Sequence, residues 1–386
     1  MEVLFWLCAF AILYPYVVFP VTLWVCSRFV TRHRQQATVE VDIVEPFTVI
    51  IPAHNEEAHV ARKIREIIPS LEIHPENALL IVSDHSSDNT IDVASAIEHP
   101  QVQVVENKLG RGRALATNFA VGLARNEFLI FTDVETRVPA ETIGTMVKVL
   151  RQEHVGCVNA EIVYRHEAND NVSGAAGVYW RFECLLRALE TRVGLYATAS
   201  GPCMACRRSL FRELPPTGDV DFTTPLDVID QGYRCVHLPG CIAFDVMPIN
   251  ASAEFTARTR MVAKNFSGTV SRWGLRNLLK HPMYTWALYS HKILRWLVPF
   301  FLLSSFFSNA LLIKRHWFYD LTFFLQVAFY LIAVIGWIGY RKKKAWPIAQ
   351  GVYAFVLAHL AFSVGILKII IGGVPSFYVP TSQLRK

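Results

Sequence analysis

The sequence predicts an α/β fold with a doubly wound, mostly parallel sheet and with transmembrane helices at both ends of the chain. In the central part, short β-branched runs alternate with helical patterns, which is typical of parallel strands joined by helices. One of these runs, residues 128–132, is entirely apolar but for its last residue, as expected for a strand covered on both faces. At both ends, long segments carry almost no charge, which indicates membrane helices.

The composition is too apolar for an ordinary soluble protein of 386 residues, since 52% of the side chains are hydrophobic and only 18% are charged. Residues 3–26 contain no charged side chain. Similar segments recur at about residues 296–313, 318–340 and 345–371, each near or above the roughly 20 residues that cross a bilayer. The first segment lacks a basic start and a small-residue cleavage site, so we expect an uncleaved anchor.

These segments divide the chain into four predicted parts: a transmembrane helix in residues 1–27, one α/β domain in 38–285, an interfacial helix with about three transmembrane helices in 286–372, and a tail in 373–386. Basic residues after the first span and the run at 341–344 favour the cytoplasmic side. We therefore expect a multi-pass protein of the bacterial cytoplasmic (inner) membrane whose central domain faces the cytoplasm.

The charge of the chain favours a membrane partner over nucleic acid. A net charge of +6 and a pI near 8.9 suit contact with anionic membrane lipids. No basic stripe interleaved with aromatic residues occurs away from the membrane flanks, so nucleic acid is not an expected partner.

The first two strands of the domain are each followed by polar loops. Residues 47–52 are β-branched and end in proline, and a helix with an apolar face follows them. Residues 79–83 form the second predicted strand, and the turn-forming run at 84–90 then leads into a helix at 91–97. The third predicted strand is 102–105.

A glycine-rich basic loop and a pair of carboxylates follow the third and fourth strands. The loop at 110–113 precedes a helix at 114–124, and the strand at 128–132 ends on Asp133 and Glu135. Because parallel strands bring their carboxyl ends to one edge of a sheet, these groups should lie together. Two oxygen ligands there suit a hard divalent cation, Mg²⁺ or Mn²⁺, beside a diphosphate.

The position of the glycine loop argues against other nucleotide-binding classes. It is neither a dinucleotide fingerprint after the first strand nor a P-loop with Lys-Ser/Thr, so a dinucleotide oxidoreductase is disfavoured. A nucleotidyltransferase should carry its basic glycine loop after the first strand, and AHNEE (53–57) stands there instead.

Eight motifs in order resemble the membrane-bound family 2 inverting glycosyltransferases, which make polysaccharides and glycolipids and have a GT-A nucleotide-diphospho-sugar fold. They cover nearly the whole chain. The motifs are VIIPAHNEE (49–57), SDHSSDNT (83–90), GRGRA (110–114), FTDVET (131–136), YWRFE (179–183), ASGPCMACRRSLF (199–211), DFTTPLDVIDQGYR (221–234) and HKILRWLVPFFLL (291–303).

The resemblance implies roles for individual residues. Asp133 would be the first acid of the metal-binding DxD motif, with Glu135 in the place of its second Asp. Asp221 would be the catalytic base, since it stands about eleven residues before a Gly-Tyr pair. Trp180, Glu183 and Gly201 would lie on the acceptor side. The residues expected to contact the nucleotide-sugar are Pro52, Ala53, Glu57, Asp84, Arg111, Asp133 and Arg260.

A departure from the family pattern bears on the product. Processive synthases carry a Gln-x-x-Arg-Trp motif after the base, whereas residues 257–261 read Ala-Arg-Thr-Arg-Met. The arginine, Arg260, is kept and could pair with the departing diphosphate. Loss of the tryptophan removes an aromatic platform for a growing chain, which argues against long polymers.

The function predicted from these features is transfer of one sugar, a hexosyl or N-acetylhexosaminyl group, with inversion from a nucleotide-sugar, most simply a UDP-sugar. The acceptor would be a lipid or lipid-linked glycan at the cytoplasmic membrane face. Two alternatives stay open: a processive polysaccharide synthase and a non-catalytic membrane subunit that binds nucleotide. Addition of a single sugar would support the predicted function, whereas a polymer would support the processive synthase. Absence of UDP release with a range of donors would support the non-catalytic subunit.

Overall fold

A computed structural model shows the architecture of the protein. It describes residues 1–29, 45–165, 171–246, 251–344 and 346–372.

The centre of the protein is a seven-stranded sheet in the order β3-β2-β1-β4-β6-β5-β7. Strands β1 to β4 are mutually parallel where they pair, β6 is antiparallel to β4 and β5, and β5 is parallel to β7. The predicted mostly parallel, doubly wound sheet is thus confirmed. The strands are β1 (Phe47–Ala53), β2 (Ala78–Ser83), β3 (Val102–Glu106), β4 (Phe128–Thr132), β5 (Val155–Arg165), β6 (Cys203–Arg207) and β7 (Arg234–Val246).

Helices cover both faces of the sheet, and the first strands alternate their side chains between two cores. Ile50 and Phe131 point to one core, and Val49 and Ile130 point to the other. The helices are α1 (Glu2–Leu13), α2 (Phe19–Phe29), α3 (Val60–Leu71), α4 (Thr90–Ser95), α5 (Arg113–Leu123), α6 (Ala140–Leu150), α7 (Asn171–Val193), α8 (Val220–Asp230), α9 (Ala251–Arg272), α10 (Leu275–Lys280), α11 (Pro282–Leu288), α12 (Leu294–Ala310), α13 (Trp317–Arg341) and α14 (Pro347–Ile370).

In the described part of the chain, four continuous helices are long and apolar enough to cross a membrane: Glu2–Phe29, Pro282–Ala310, Trp317–Arg341 and Pro347–Ile370. One π-helical turn joins α1 to α2 and a second joins α11 to α12. The second apolar helix starts at Pro282, well before the segment predicted to begin near residue 296. These helices indicate membrane association, and the predicted domain limits remain predictions.

Helix α14 packs closely against α9 at a glycine. A Cβ atom on Gly365 would lie 2.8 Å from the carbonyl oxygen of Thr259 and 3.0 Å from Cβ of Val262. Since backbone cannot move aside as a flexible side chain can, the absence of a side chain at Gly365 permits this close approach.

We predict that Gly365→Ala lowers the stability of the protein because the added methyl group separates α14 from α9, at a cost of about 1–3 kcal/mol. Gly351→Ala, in the same helix, is the matched control, since a Cβ atom there meets no described atom within 4 Å. The melting temperature of the detergent-solubilised protein measures both. Equal melting temperatures would contradict the close packing.

Candidate active site

The loops after β1, β2 and β4 meet at one edge of the sheet because the register aligns their ends. Ala53 pairs with Ser83, and Ile50 pairs with Phe131. Polar side chains in the loops are therefore brought together from distant parts of the sequence. They form a small cleft of about 60 Å³, lined by Pro52, Ala53, His54, Glu56, Asp84, Arg113, Asp133, Val134, Glu135 and Asp245.

Asp84 fixes the glycine loop at this edge. Its two carboxylate oxygens accept the backbone N–H of Gly112 at 2.8 and 2.9 Å, and Asn107 donates to Oδ1 at 3.2 Å. Gly112 has φ of 135°, a conformation that side-chain-bearing residues rarely adopt. Asp84 therefore holds the start of α5, and with it Arg113, in position.

Glu57 and Arg111 lie beside the cleft and are not among its lining residues. Glu57 accepts the backbone N–H of Asn89 at 3.0 Å, so it ties the loop after β1 to the loop after β2. Arg111 lies 3.5 Å from Nε2 of His54, which is a lining residue. Both predicted nucleotide-binding residues thus stand next to the cleft, whereas Arg260 lines a different cavity.

Asp133 is paired with Arg113, whose NH2 donates to Oδ1 and whose NH1 lies 3.4 Å from Oδ2. The second acid, Glu135, lies with Glu56 and His59, and the ligand atoms of these three all lie within 4.8 Å of one another. The donor set of carboxylates and an imidazole fits a divalent cation. Sequence reasoning missed Glu56 and His59 as possible ligands, although both lie in the polar loop after β1.

Lys63 is a further residue that sequence reasoning missed, because it lies within the apolar face of α3. It is 1% exposed, and its Nζ donates to the carbonyl oxygen of Thr136 and lies 3.4 Å from Oγ1 of Thr132. Burial lowers the pKa of Lys63, and Glu66, 3.5 Å away, opposes that effect. Lys63 thus anchors both ends of the turn that carries Asp133 and Glu135.

A larger cavity of about 360 Å³ adjoins the cleft and shares Arg113 and Asp133 with it. All three residues predicted on the acceptor side line this cavity, as do Asp221 and Arg260. The residues that line this cavity include Trp180, Glu183, Arg187, Gly201, Asp221, Arg260, Lys292 and Arg295.

Asp221 lies in the first turn of α8, and its carboxylate faces the backbone of Gly201. A Cβ atom on Gly201 would come within 3.3 Å of Oδ2 of Asp221, so the glycine leaves room for this carboxylate. Burial, and next the charge of Asp219, raises the pKa of Asp221 to about 6, against the lowering effect of Arg113. A carboxylate with a pKa near neutrality is suited to general-base catalysis.

Two other acids near Asp221 are each paired with basic side chains. Asp219 pairs with Lys264 at 3.0 Å. Asp227 is buried between Arg212 and Arg272, at 3.6 and 3.7 Å, and is not a lining residue of the cavity. This geometry favours Asp221 among the three.

Comparison with known proteins bears on the family and the fold of the chain. The sequence model of Glycosyl transferase family 2 matches residues 48–215. This segment is a family 2 glycosyltransferase domain. It contains every lining residue of the cleft except Asp245, among them Asp133 and Glu135, and it ends before Asp221 and Arg260.

Two curated relatives of the family 2 domain are named N-acetylglucosaminyltransferase. The protein of Rhizobium leguminosarum bv. viciae is 20% identical over 250 residues, which are 60% of this chain and 58% of the relative. That of Bradyrhizobium diazoefficiens is 21% identical over 258 residues, which are 62% of this chain and 52% of the relative. The chain therefore spans little more than half the length of these relatives.

One solved structure shares the fold over almost the full chain. It is the mannosyltransferase PcManGT from Pyrobaculum calidifontis in complex with GDP-Man and Mn²⁺, with a TM-score of 0.66 and 19% identity. The match covers 96% of this chain and 98% of PcManGT. The fold of the family 2 domain is thus the GT-A fold, with apolar helices at the ends of the chain.

We predict that Lys63→Met weakens binding of Mn²⁺ by the family 2 domain in the presence of UDP or GDP, by about tenfold, because a lost hydrogen bond from a charged group costs about 1.5 kcal/mol. Arg65→Met, which removes an exposed positive charge from the same helix, is the control. Calorimetry measures both affinities. Equal Mn²⁺ affinity in the two variants would show that Lys63 does not position the turn.

Proposed function

We propose that the protein is an inverting, metal-dependent glycosyltransferase that moves one sugar from a nucleotide-sugar onto a lipid or lipid-linked acceptor. The observation that carries the proposal is that Asp133, at the strand-edge cleft, and Asp221 line one cavity. A donor held at the cleft would present its anomeric carbon to an acceptor in the cavity. Names of the relatives and of PcManGT support a sugar-transfer activity.

The donor side of the proposal rests on the cleft at the sheet edge. Pro52, Ala53 and Asp84 would surround the nucleoside, with Glu57 and Arg111 beside them. PcManGT in complex with GDP-Man supports a nucleotide-sugar donor in this fold, and a UDP-sugar is our preferred donor. Arg260 would approach the diphosphate from the side of the larger cavity.

The metal side of the proposal rests on the oxygen ligands around β4. Asp133 would hold Mg²⁺ or Mn²⁺ after giving up part of its pairing with Arg113, and Glu135 would hold it directly or together with Glu56. When bound, the cation would neutralise the charge that develops on the leaving diphosphate. Arg113, whose side chain lines both the cleft and the larger cavity, would contact the same diphosphate, since cations stabilise that charge as well.

Asp221 would act as the base. In an inverting transfer the acceptor hydroxyl attacks the anomeric carbon from the face opposite the leaving nucleotide, and one carboxylate accepts its proton. The raised pKa of Asp221 places its carboxylate near the optimum for this step at neutral pH.

The membrane side of the proposal follows from the four apolar helices and their flanks. The basic run at 341–344 begins at the last residue of the third of these helices, and Arg28 lies near the end of the first, so the domain would face the cytoplasm of a bacterial cell. An active site held there would meet acceptors in the headgroup layer. Transfer of a single sugar is favoured over processive synthesis because Met261 replaces the expected tryptophan.

The metal role is tested at the two acids. Asp133→Asn should reduce turnover on the order of 100-fold or more, because it would weaken binding of a cation that supplies several kcal/mol of charge stabilisation. Glu135→Asp, which keeps an oxygen ligand, should retain most activity. Release of UDP from the donor in the presence of an acceptor measures the turnover of both variants. Full activity of the unmodified protein in excess EDTA would disprove the metal role.

The base is tested at Asp221. Asp221→Asn should lower turnover on the order of 100-fold or more with little change in donor affinity, because it removes only the proton acceptor. Asp230→Asn, at the other end of α8, is the control and should keep normal turnover. Calorimetry with the donor separates binding from rate, and a proportional loss of donor affinity would instead make Asp221 a binding residue.

The pH dependence provides a second measure of the same role. Because the pKa of Asp221 is raised to about 6, its carboxylate is ionised above that pH and becomes protonated as the pH falls through it. Turnover should therefore fall on the acid side with a midpoint near pH 6. The residual activity of Asp221→Asn should lack this acid limb.

A further inference from the structure

An ion pair joins the start of α8 to α9 beside Asp221. Asp219 directly precedes α8, and its Oδ1 accepts a hydrogen bond from Nζ of Lys264, on α9, at 3.0 Å. Both side chains line the larger cavity, as Asp221 does. The pair therefore lies in the wall of the proposed reaction space, with Asp219 only two residues before the proposed base.

The carboxylate of Asp219 does not cap the helix that it precedes. An aspartate at this N-cap position usually accepts a backbone N–H from the first turn of its helix. The backbone carbonyl of Asp219 accepts the N–H of Thr223 at 2.9 Å, so the helix begins normally, but the side chain makes no capping bond to α8. The carboxylate is instead directed to Lys264, at the cavity.

Lys264 is a buried charge between two packed helices. Its side chain is 5% exposed, against 24% for Asp219. Burial of a lysine is unfavourable, and replacing a buried ion pair by apolar residues of similar volume is often neutral or stabilising. The packing of α8 against α9 therefore does not explain a charge at this position, whereas a role in the cavity does.

The charge of Asp219 acts on Asp221. Two carboxylates near one another each favour the protonated form of the other. Burial is the largest cause that raises the pKa of Asp221 to about 6, and Asp219 is the next. Arg113 lowers the pKa of Asp221, and Asp133 raises it. Lys264 offsets part of the charge of Asp219, so the two members of the pair act on Asp221 with opposite signs.

Other charged and titratable side chains line the same cavity, and they are identical in all the variants compared below. On α9 they are Glu254, Arg258 and Arg260, of which Arg258 pairs with Glu254 at 2.7 Å. On α7 and the apolar helix Pro282–Ala310 they are Glu183 and its partners Arg187, His291, Lys292 and Arg295. Two phenols complete the set, Tyr164 and Tyr179. A shift that follows only a change at Asp219 or Lys264 is thus assigned to this pair.

We propose that Asp219 and Lys264 are positioning residues that set the pH at which Asp221 becomes able to accept a proton from the acceptor. This inference rests on the proposed function and concerns the same site. Asp219 disfavours the ionised form of Asp221, and Lys264 limits that effect. The pair thereby keeps the proton affinity of the base high enough for the transfer, yet leaves the base ionised at neutral pH.

The test is the midpoint of the acid limb of turnover, measured as nucleotide release by the full chain in detergent. Asp219→Asn removes the like charge, so Asp221 stays ionised to a lower pH. The midpoint should therefore fall by on the order of one pH unit, the usual scale of such shifts. Lys264→Met leaves the charge of Asp219 without its offset, so the midpoint should rise. Lys264→Arg keeps the positive charge and should retain the midpoint of the unmodified protein.

The matched control is Asp230→Asn, the same substitution at the other end of α8, which should leave the midpoint unchanged. A midpoint does not depend on the fraction of the protein that is folded, so a less stable variant still gives a valid result. An unchanged midpoint in Asp219→Asn, or shifts of the same sign in Asp219→Asn and Lys264→Met, would overturn the inference.

Failure of the proposed function gives a different pattern. If Asp221→Asn keeps the acid limb of the unmodified protein, the base is another group, and this inference is wrong together with that assignment. If no nucleotide-sugar gives nucleotide release, glycosyl transfer itself is disproved, and the inference with it. If Asp221→Asn loses the acid limb but Asp219→Asn does not move it, the base stands and only this inference is wrong.

Discussion

Parallel pairing of β1 with both β2 and β4 brings the ends of three strands to one level at the edge of the sheet. Asp84 and Asp133 follow two of these strands directly, so their carboxylates project into the same small space. Each then takes a partner from the glycine loop, the backbone of Gly112 for Asp84 and the side chain of Arg113 for Asp133. A shift in register would separate these groups, so the cleft depends on the observed pairing of the strands.

The loop that precedes the antiparallel strand β6 links the two halves of the site. It follows the loop of residues 199–202, in which the backbone N–H of Ala199 donates to the carbonyl oxygen of Asp221 at 2.8 Å and Pro202 accepts from Thr132 Oγ1 at 2.8 Å. This loop therefore connects the end of β4, which directly precedes Asp133, to the helix that bears Asp221. The proposed metal ligand and the proposed base are thus held on a shared piece of backbone.

The wall of the cavity shows how the apolar helices take part in the site. Helix Pro282–Ala310 is long and apolar enough to cross a membrane, yet it contributes His291, Lys292 and Arg295 to a buried cluster around Glu183. Removing one partner from such a cluster leaves the others buried and uncompensated, which is strongly destabilising. The helix and the family 2 domain are therefore coupled by charge as well as by apolar packing.

The sequence by itself determined the alternating strands and helices, the four apolar segments and the carboxylates at the strand ends, because periodicity and strand-end position are local properties. It also predicted Trp180, Glu183, Gly201 and Asp221 through ordered motifs, and all four line one cavity. Only the tertiary structure decided that Lys63 anchors the turn after β4, that Glu56 and His59 lie beside Glu135, and that Glu183 pairs with three basic side chains. These contacts join residues far apart in the chain, and their charge balance depends on burial, which no local pattern encodes.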